Sequence, residues 1–105
     1  MSFLVSLCGA VTILVAEDDI TLRKLFSTVL QTSGYKVILA KDGEDAIRKF
    51  TENKDKIQLV MLDMIMPKKS GKEVYDSIRE LRPDMKTLFT SGYTADRIEK
   101  DTMHA

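Results

Sequence analysis

Short apolar runs and helical stripes alternate four times along the chain, and this alternation limits the possible folds more than any other feature. The apolar runs predict buried strands at residues 11–16, 35–40, 57–62 and 87–90. The segments between and after them predict four helices. Their apolar positions are Leu22, Leu25, Phe26, Val29 and Leu30 in the first, Ala46, Ile47 and Phe50 in the second, and Val74, Ile78 and Leu81 in the third. The fourth is expected to begin at Thr94 or Asp96 and to run through Lys100. Strict alternation with short connections predicts an α/β fold, a doubly wound parallel sheet with right-handed crossovers.

Local signals fix several of the predicted boundaries. Gly34 is expected to end the first helix, and Asp42 is a good N-cap for the second, which has acidic residues in its first turn. Pro67 and Gly71 mark a loop after the third strand, and Pro83 lies near the end of the third helix.

Size and charge limit the class of protein. The chain has 105 residues, enough for one domain with a core. Its 16 basic and 16 acidic residues balance, which argues against binding nucleic acid or a membrane surface through bulk charge. A single cysteine, Cys8, suits a reducing, cytoplasmic compartment. We expect residues 1–10 to be a leader or an added segment, because they lack the basic start of a signal peptide, and residues 11–105 to be the domain.

Acidic residues follow two of the predicted strands. Glu17 and Asp18 end the first strand and Asp63 ends the third, while Ser91 and Gly92 end the fourth. The carboxyl ends of such strands meet at one edge of a parallel sheet, where ligands bind. Taken alone, Asp63 would be interpreted as the cap of a turn. Asp19 would be interpreted as an acidic residue at a solvated helix N-terminus. For Glu17, Asp18 and Asp63, convergence favours a functional site.

Three converging carboxylates raise one another's pKa unless a proton or a cation neutralises them. Hard oxygen ligands without nearby His or Cys favour Mg²⁺ over zinc. A carboxylate beside that ion can attack phosphorus, as in aspartyl phosphate formation, and the hydroxyl of Ser91 is available to the new phosphoryl oxygens.

These motifs resemble the receiver domain of two-component response regulators, over about residues 11–94. The matching features are the stretch 13–18, Arg23, Leu62-Asp63, Pro67, Gly71 and the stretch 88–93. The segment Phe-Thr-Ser-Gly-Tyr-Thr at 89–94 most resembles receivers attached to hybrid sensor histidine kinases.

The resemblance implies a flavodoxin-like fold with strand order 2-1-3-4-5. It implies that Asp63 is the phosphoacceptor, served by a sensor histidine kinase or a phosphotransfer domain and acting on an output domain or effector. The implied Mg²⁺ ligands are Asp18, Glu17, Asp63 and the backbone carbonyl of Ile65. The implied phosphoryl contacts are the switch hydroxyl of Ser91 and the backbone N–H groups of Met64 and Gly92.

The chain departs from the family at its C-terminal end. It stops at Ala105, before a fifth strand and helix, so we expect four β/α units of the usual five. The family's site lysine has no counterpart, since Lys100 falls in the predicted fourth helix. The fourth strand then becomes an open edge, which a second copy of the chain can pair with.

Two other functions stay open at this point. A pseudo-receiver acting as an interaction or dimerisation module fits the missing lysine. A magnesium-dependent phosphatase with an Asp nucleophile resembles Asp-x-Asp-x-Thr, whereas this chain has Ile65 in place of the second Asp. The leading expectation is a phosphoacceptor domain that is not an enzyme on external substrates but assists its own phosphorylation and dephosphorylation.

Overall fold

The computed structural model describes residues 11–90. The predicted leader at residues 1–10, the predicted phosphoryl contacts Ser91 and Gly92, and the predicted fourth helix lie outside the described residues.

The described chain contains four strands and three helices in strict alternation. They are β1 (Thr12–Ala16), α1 (Ile20–Thr32), β2 (Lys36–Ala40), α2 (Gly43–Asn53), β3 (Ile57–Asp63), α3 (Gly71–Leu81) and β4 (Thr87–Thr90). All neighbouring strands are parallel, in the order β2-β1-β3-β4. The predicted α/β, flavodoxin-like fold and its strand order over these four strands are therefore confirmed.

Strand register brings the predicted functional ends together. Ala16 at the end of β1 pairs with Leu62 of β3, and Asp63 pairs with Thr90 at the end of β4. Asp63 is the last residue of β3 rather than the first residue after it. As a result, the carboxyl ends of three strands form one edge of the sheet.

Capping side chains set where the helices begin. The Asp19 carboxylate accepts hydrogen bonds from the N–H groups of Thr21 and Leu22, at 2.8 and 3.1 Å. Asp42 caps α2 as predicted, accepting from the Asp45 N–H at 2.8 Å. At α3, Ser70 forms a capping box, which the sequence analysis did not predict.

The larger core lies on the sheet face covered by α2 and α3. It contains Leu14, Phe50, Leu62, Val74 and Ile78, all fully buried. The other face has a smaller cluster built on Ile13, Val15 and Met61.

The prediction of a five-residue inward stripe on α1 is wrong for two residues. Leu25 and Val29 are 53% and 54% exposed, whereas Phe26 and Leu30 pack against the smaller cluster. The reason is that α1 contacts β1 and β2, so only one side of its wide apolar stripe meets the sheet.

Strand β4 lies at the edge of the described sheet, and its Leu88 and Phe89 side chains are exposed. Within residues 11–90, no helix is long and apolar enough to cross a bilayer.

Candidate metal centre at the carboxyl edge of the sheet

Three carboxylates from two strand ends meet at this edge. Glu17 and Asp18 directly follow β1, and Asp63 ends β3. Each offers an oxygen that lies within 4.8 Å of the oxygens of the other two. The structure thus brings together the three side chains that the sequence predicts as metal ligands.

Two of these carboxylates are buried. Glu17 is 1% exposed and Asp63 is 4% exposed, whereas Asp18 is exposed. Oε2 of Glu17 accepts from the Asp19 N–H at 3.2 Å, but Oε1 is buried without a hydrogen-bond partner among the described residues. A buried polar atom without a partner is costly unless a ligand or a proton satisfies it.

Burial and mutual repulsion shift the titration of the cluster. Burial, together with the charges of Asp63 and Asp18, raises the pKa of Glu17 to about 7. Burial also raises the pKa of Asp63, with Asp18 adding to the effect and the Ile65 N–H opposing it. Near neutral pH the cluster therefore favours the uptake of a proton or a cation.

Within residues 11–90, no basic side chain forms a salt bridge that would neutralise this charge. Of the salt bridges that the described part of the chain forms, none joins a lysine or an arginine to Glu17, Asp18 or Asp63. The available donors are all hard oxygens, the type that Mg²⁺ prefers. The unpartnered Oε1 of Glu17 and this donor set fit a divalent cation.

The loop after β3 lies against the same carboxylates. The Ile65 N–H donates to Oδ1 of Asp63 at 3.2 Å, which holds Ile65 beside the predicted phosphoacceptor. Met64, half-buried, accepts through its carbonyl from the Gly71 N–H at 3.0 Å. The roles of the Ile65 carbonyl and the Met64 N–H stay predictions.

Gly71 allows this loop to close tightly. A Cβ at this position would lie 2.5 Å from the carbonyl oxygen of Asp63 and 2.8 Å from Cα of Met64. Any side chain there would push the start of α3 away from the end of β3. In the sequence, Gly71 marks a loop and matches the receiver pattern, and the close approach of the Asp63 carbonyl explains why glycine is needed there.

Arg23 fixes the backbone on the β1 side of the cluster. Its Nη1 donates to the carbonyl oxygen of Glu17 at 2.8 Å and lies 3.4 Å from that of Asp18. Arg23 is among the residues that match the receiver pattern, and these contacts give it a structural role. Asp19, by contrast, serves as the cap of α1, as its simpler interpretation predicted.

The end of β4 restricts which hydroxyl can face the cluster. Thr90 lies opposite Asp63, and its Oγ1 donates to the Leu62 carbonyl at 3.4 Å. The hydroxyl of Thr90 is thus directed to the backbone of β3. The predicted switch hydroxyl, that of Ser91, lies outside the described residues.

Comparison with known proteins identifies the domain. The family model described as the response regulator receiver domain matches residues 13–105. The chain belongs to this family.

Two similar proteins, one of them in two solved structures, show the range of contexts. The sensor kinase CckA of Brucella abortus is 32% identical over 95 residues, which is 90% of this chain but 10% of that kinase. The response regulator TrrA of Thermotoga maritima, in complex with Mg(2+)-BeF, is 35% identical with a TM-score of 0.74, covering 90% of this chain and 81% of that one. TrrA in complex with the histidine kinase ThkA is 37% identical with a TM-score of 0.73, covering 83% and 73%.

Proposed function

We propose that this receiver domain is a phosphorylation switch in which Asp63 accepts a phosphoryl group from a histidine kinase or a phosphotransfer domain. Glu17, Asp18, Asp63 and the Ile65 carbonyl would hold Mg²⁺. The observation behind the proposal is the cluster itself, three carboxylates within 4.8 Å, two of them buried. The similarity to TrrA, whose structure contains Mg(2+)-BeF, supports the same assignment.

The reaction uses the Asp63 carboxylate as nucleophile. A carboxylate oxygen attacks the phosphorus of a phosphohistidine, the P–N bond breaks, and its electron pair returns to the imidazole of the donor. When bound, Mg²⁺ supplies positive charge to the carboxylates and to the phosphoryl oxygens. The Ile65 N–H, which donates to Asp63 Oδ1, orients the carboxylate, and the buried position of Asp63 limits the access of competing water.

The switch would begin at the residue after Thr90. A phosphoryl group adds a charge of about −1.5 to −2 near neutral pH, which attracts the Ser91 hydroxyl and the N–H groups of Met64 and Gly92. Movement of Ser91 would draw the following segment toward Asp63 and change the surface that an output domain or effector reads.

The partners follow from the same chemistry. The complex of ThkA with TrrA supports a sensor histidine kinase as the donor. The similarity to CckA supports the proposal that this domain comes from a hybrid sensor kinase. We further propose a cytoplasmic location, where such kinases phosphorylate their receivers.

A second copy of the chain is the proposed partner of the β4 edge. Leu88 and Phe89 are exposed there, and the described sheet pairs β4 on one side only. An interaction or dimerisation module would use the same edge without phosphorylation. Light scattering at rising protein concentration tests this, and a monomer at all concentrations contradicts pairing.

The decisive experiment incubates the protein with Mg²⁺ and a small phosphodonor such as acetyl phosphate, followed by intact mass spectrometry. We expect a phosphoryl adduct on the wild type, no adduct on Asp63→Asn, and none after chelation of Mg²⁺. An adduct that persists on Asp63→Asn would contradict the proposal. Turnover of an added phosphoester without an adduct would favour the phosphatase instead. The absence of both an adduct and turnover would favour the interaction module.

A further inference from the structure

The loop after β3 packs against the start of α2, and this contact lies outside the carboxylate cluster. The loop that joins Asp63 to Gly71 contains the proposed metal ligand Ile65. Its far side, at Lys68 and Lys69, meets the turn formed by Asp42 and Gly43. The two loops come from different β/α units, so the contact ties them together.

Gly43 is the point of closest approach. A Cβ at Gly43 would lie 2.6 Å from Cβ of Lys69 and 2.8 Å from its carbonyl carbon, closer than real Cβ contacts come. Gly43 is the first residue of α2, and it is not among the residues with positive φ. Alanine would therefore suit the helix itself, and the requirement for glycine comes only from the loop that it touches.

Lys68 adds charge pairing to this contact. Its Nζ lies 3.8 Å from a carboxylate oxygen of Asp42 and 3.8 Å from one of Glu44. Lys68 also has a φ of 71°, a left-handed conformation that lysine rarely adopts. The Lys69 N–H donates to the Pro67 carbonyl at 2.8 Å, which forms a tight turn centred on Lys68, and the pairs with Asp42 and Glu44 hold this turn against the start of α2.

Several hydrogen bonds hold the α2 side of the contact. Asp42 accepts from the Asp45 N–H, and Asp45 accepts from the Lys41 N–H at 3.1 Å and pairs with Arg48. Lys49 donates to the Leu39 carbonyl at 2.6 Å, which links α2 to β2. A surface tied down by these hydrogen bonds can restrict the positions of a loop that packs against it.

We propose that the Asp42–Gly43 turn is a positioning element for the Mg²⁺ site. It would hold the loop after β3 so that the Ile65 carbonyl faces the Glu17, Asp18 and Asp63 carboxylates. This inference rests on the proposed function. It assigns to Gly43 and Lys68 a role in metal affinity, although neither residue contacts the metal.

The test measures the Mg²⁺ dissociation constant by calorimetry for the wild type, Gly43→Ala and Gly34→Ala. Gly34 has a φ of 97° and open space around it, so alanine there strains the end of α1 without touching the loop. Both variants lose stability. We expect Gly43→Ala to bind Mg²⁺ about tenfold more weakly, the scale typical of groups that orient ligands, with Gly34→Ala unchanged.

Three results of the calorimetry would overturn a claim. Wild-type affinity in Gly43→Ala would contradict the inference, as would equal weakening in both variants, which would show a general effect of stability. Absence of Mg²⁺ binding by the wild type would overturn the proposed function itself, and the two failures are therefore distinguishable.

Lys68 gives a test that does not depend on the folding of Gly43→Ala. Asparagine tolerates the left-handed conformation but removes the charge. Through charge alone, Lys68→Asn would leave Mg²⁺ binding unchanged or slightly tighter, because one positive charge is lost from the protein. Loss of positioning predicts the opposite sign, a weakening of about two- to fivefold, with Lys68→Arg close to wild type. Unchanged or tighter binding in Lys68→Asn would refute the inference.

Discussion

Glu17→Gln should stabilise the metal-free protein at alkaline pH. The Glu17 side chain is almost fully buried beside two other carboxylates, and one of its oxygens has no hydrogen-bond partner in the described structure. Glutamine has the same shape without the charge. Its carbonyl oxygen can accept from the Asp19 N–H, and its amide can donate to Asp63, the buried neighbour.

The magnitude follows from the pKa of Glu17, which rises from 4.5 to about 7 on folding. A raised pKa means that the folded state holds the proton more tightly than the unfolded state does. Stability from this group is thus complete below about pH 4.5 and is lost as the pH rises through about 7. The loss corresponds to roughly 3 kcal/mol, as an order of magnitude. Glu17→Gln has no carboxyl group to ionise at this position, so it avoids this loss of stability.

Urea denaturation in the presence of a chelator measures the effect. We expect Glu17→Gln to exceed the wild type in free energy of unfolding by up to about 3 kcal/mol at pH 8 and to match it at pH 4. Glu80→Gln, at an exposed position of α3, is the matched control and should change little at either pH. A Glu17→Gln variant that is less stable than the wild type at pH 8 would refute the argument.

Three further predictions concern the metal site and the packing of the helices. Protons compete with Mg²⁺ for the cluster, so the Mg²⁺ affinity measured by calorimetry should fall as the pH drops below 7. The fall should reach about tenfold per pH unit if Mg²⁺ displaces one proton. An Mg²⁺ affinity that does not change with pH would contradict the raised pKa of Glu17. Ser70→Ala removes the capping box of α3 and should cost about 1 kcal/mol in urea denaturation, whereas no loss would mean that the cap is not used. Phe50→Ala empties a fully buried site under α2 and should cost about 3–5 kcal/mol, and a loss below 1 kcal/mol would contradict the packing.

The fold was predictable because its signals are local and repeated. β-branched runs and helical stripes predicted each described strand and helix, and Asp42 predicted the start of α2. The exposure of Leu25 and Val29 was not predictable. The width of the apolar face of α1 does not show how much of that face the neighbouring elements bury.

The carboxylate cluster was predictable from topology. Strand order places the ends of β1 and β3 side by side, which brings Glu17 and Asp18 near Asp63 despite their separation in sequence. The contact of Gly43 with Lys69 and the pairing of Lys68 with Asp42 depend on loop shape. No periodicity encodes loop shape, so these contacts appeared only in three dimensions.

The central claim is that Glu17, Asp18 and Asp63 form one cation site. Titration of the isotope-labelled protein with Mn²⁺, a paramagnetic substitute for Mg²⁺, tests it most directly through the amide NMR signals. We predict that the signals of Asp18, Asp63 and Ile65 broaden first, and that excess Mg²⁺ restores them. Broadening that begins at other amides would contradict the claim. So would broadening at these same amides that persists in the triple variant Glu17→Gln, Asp18→Asn and Asp63→Asn.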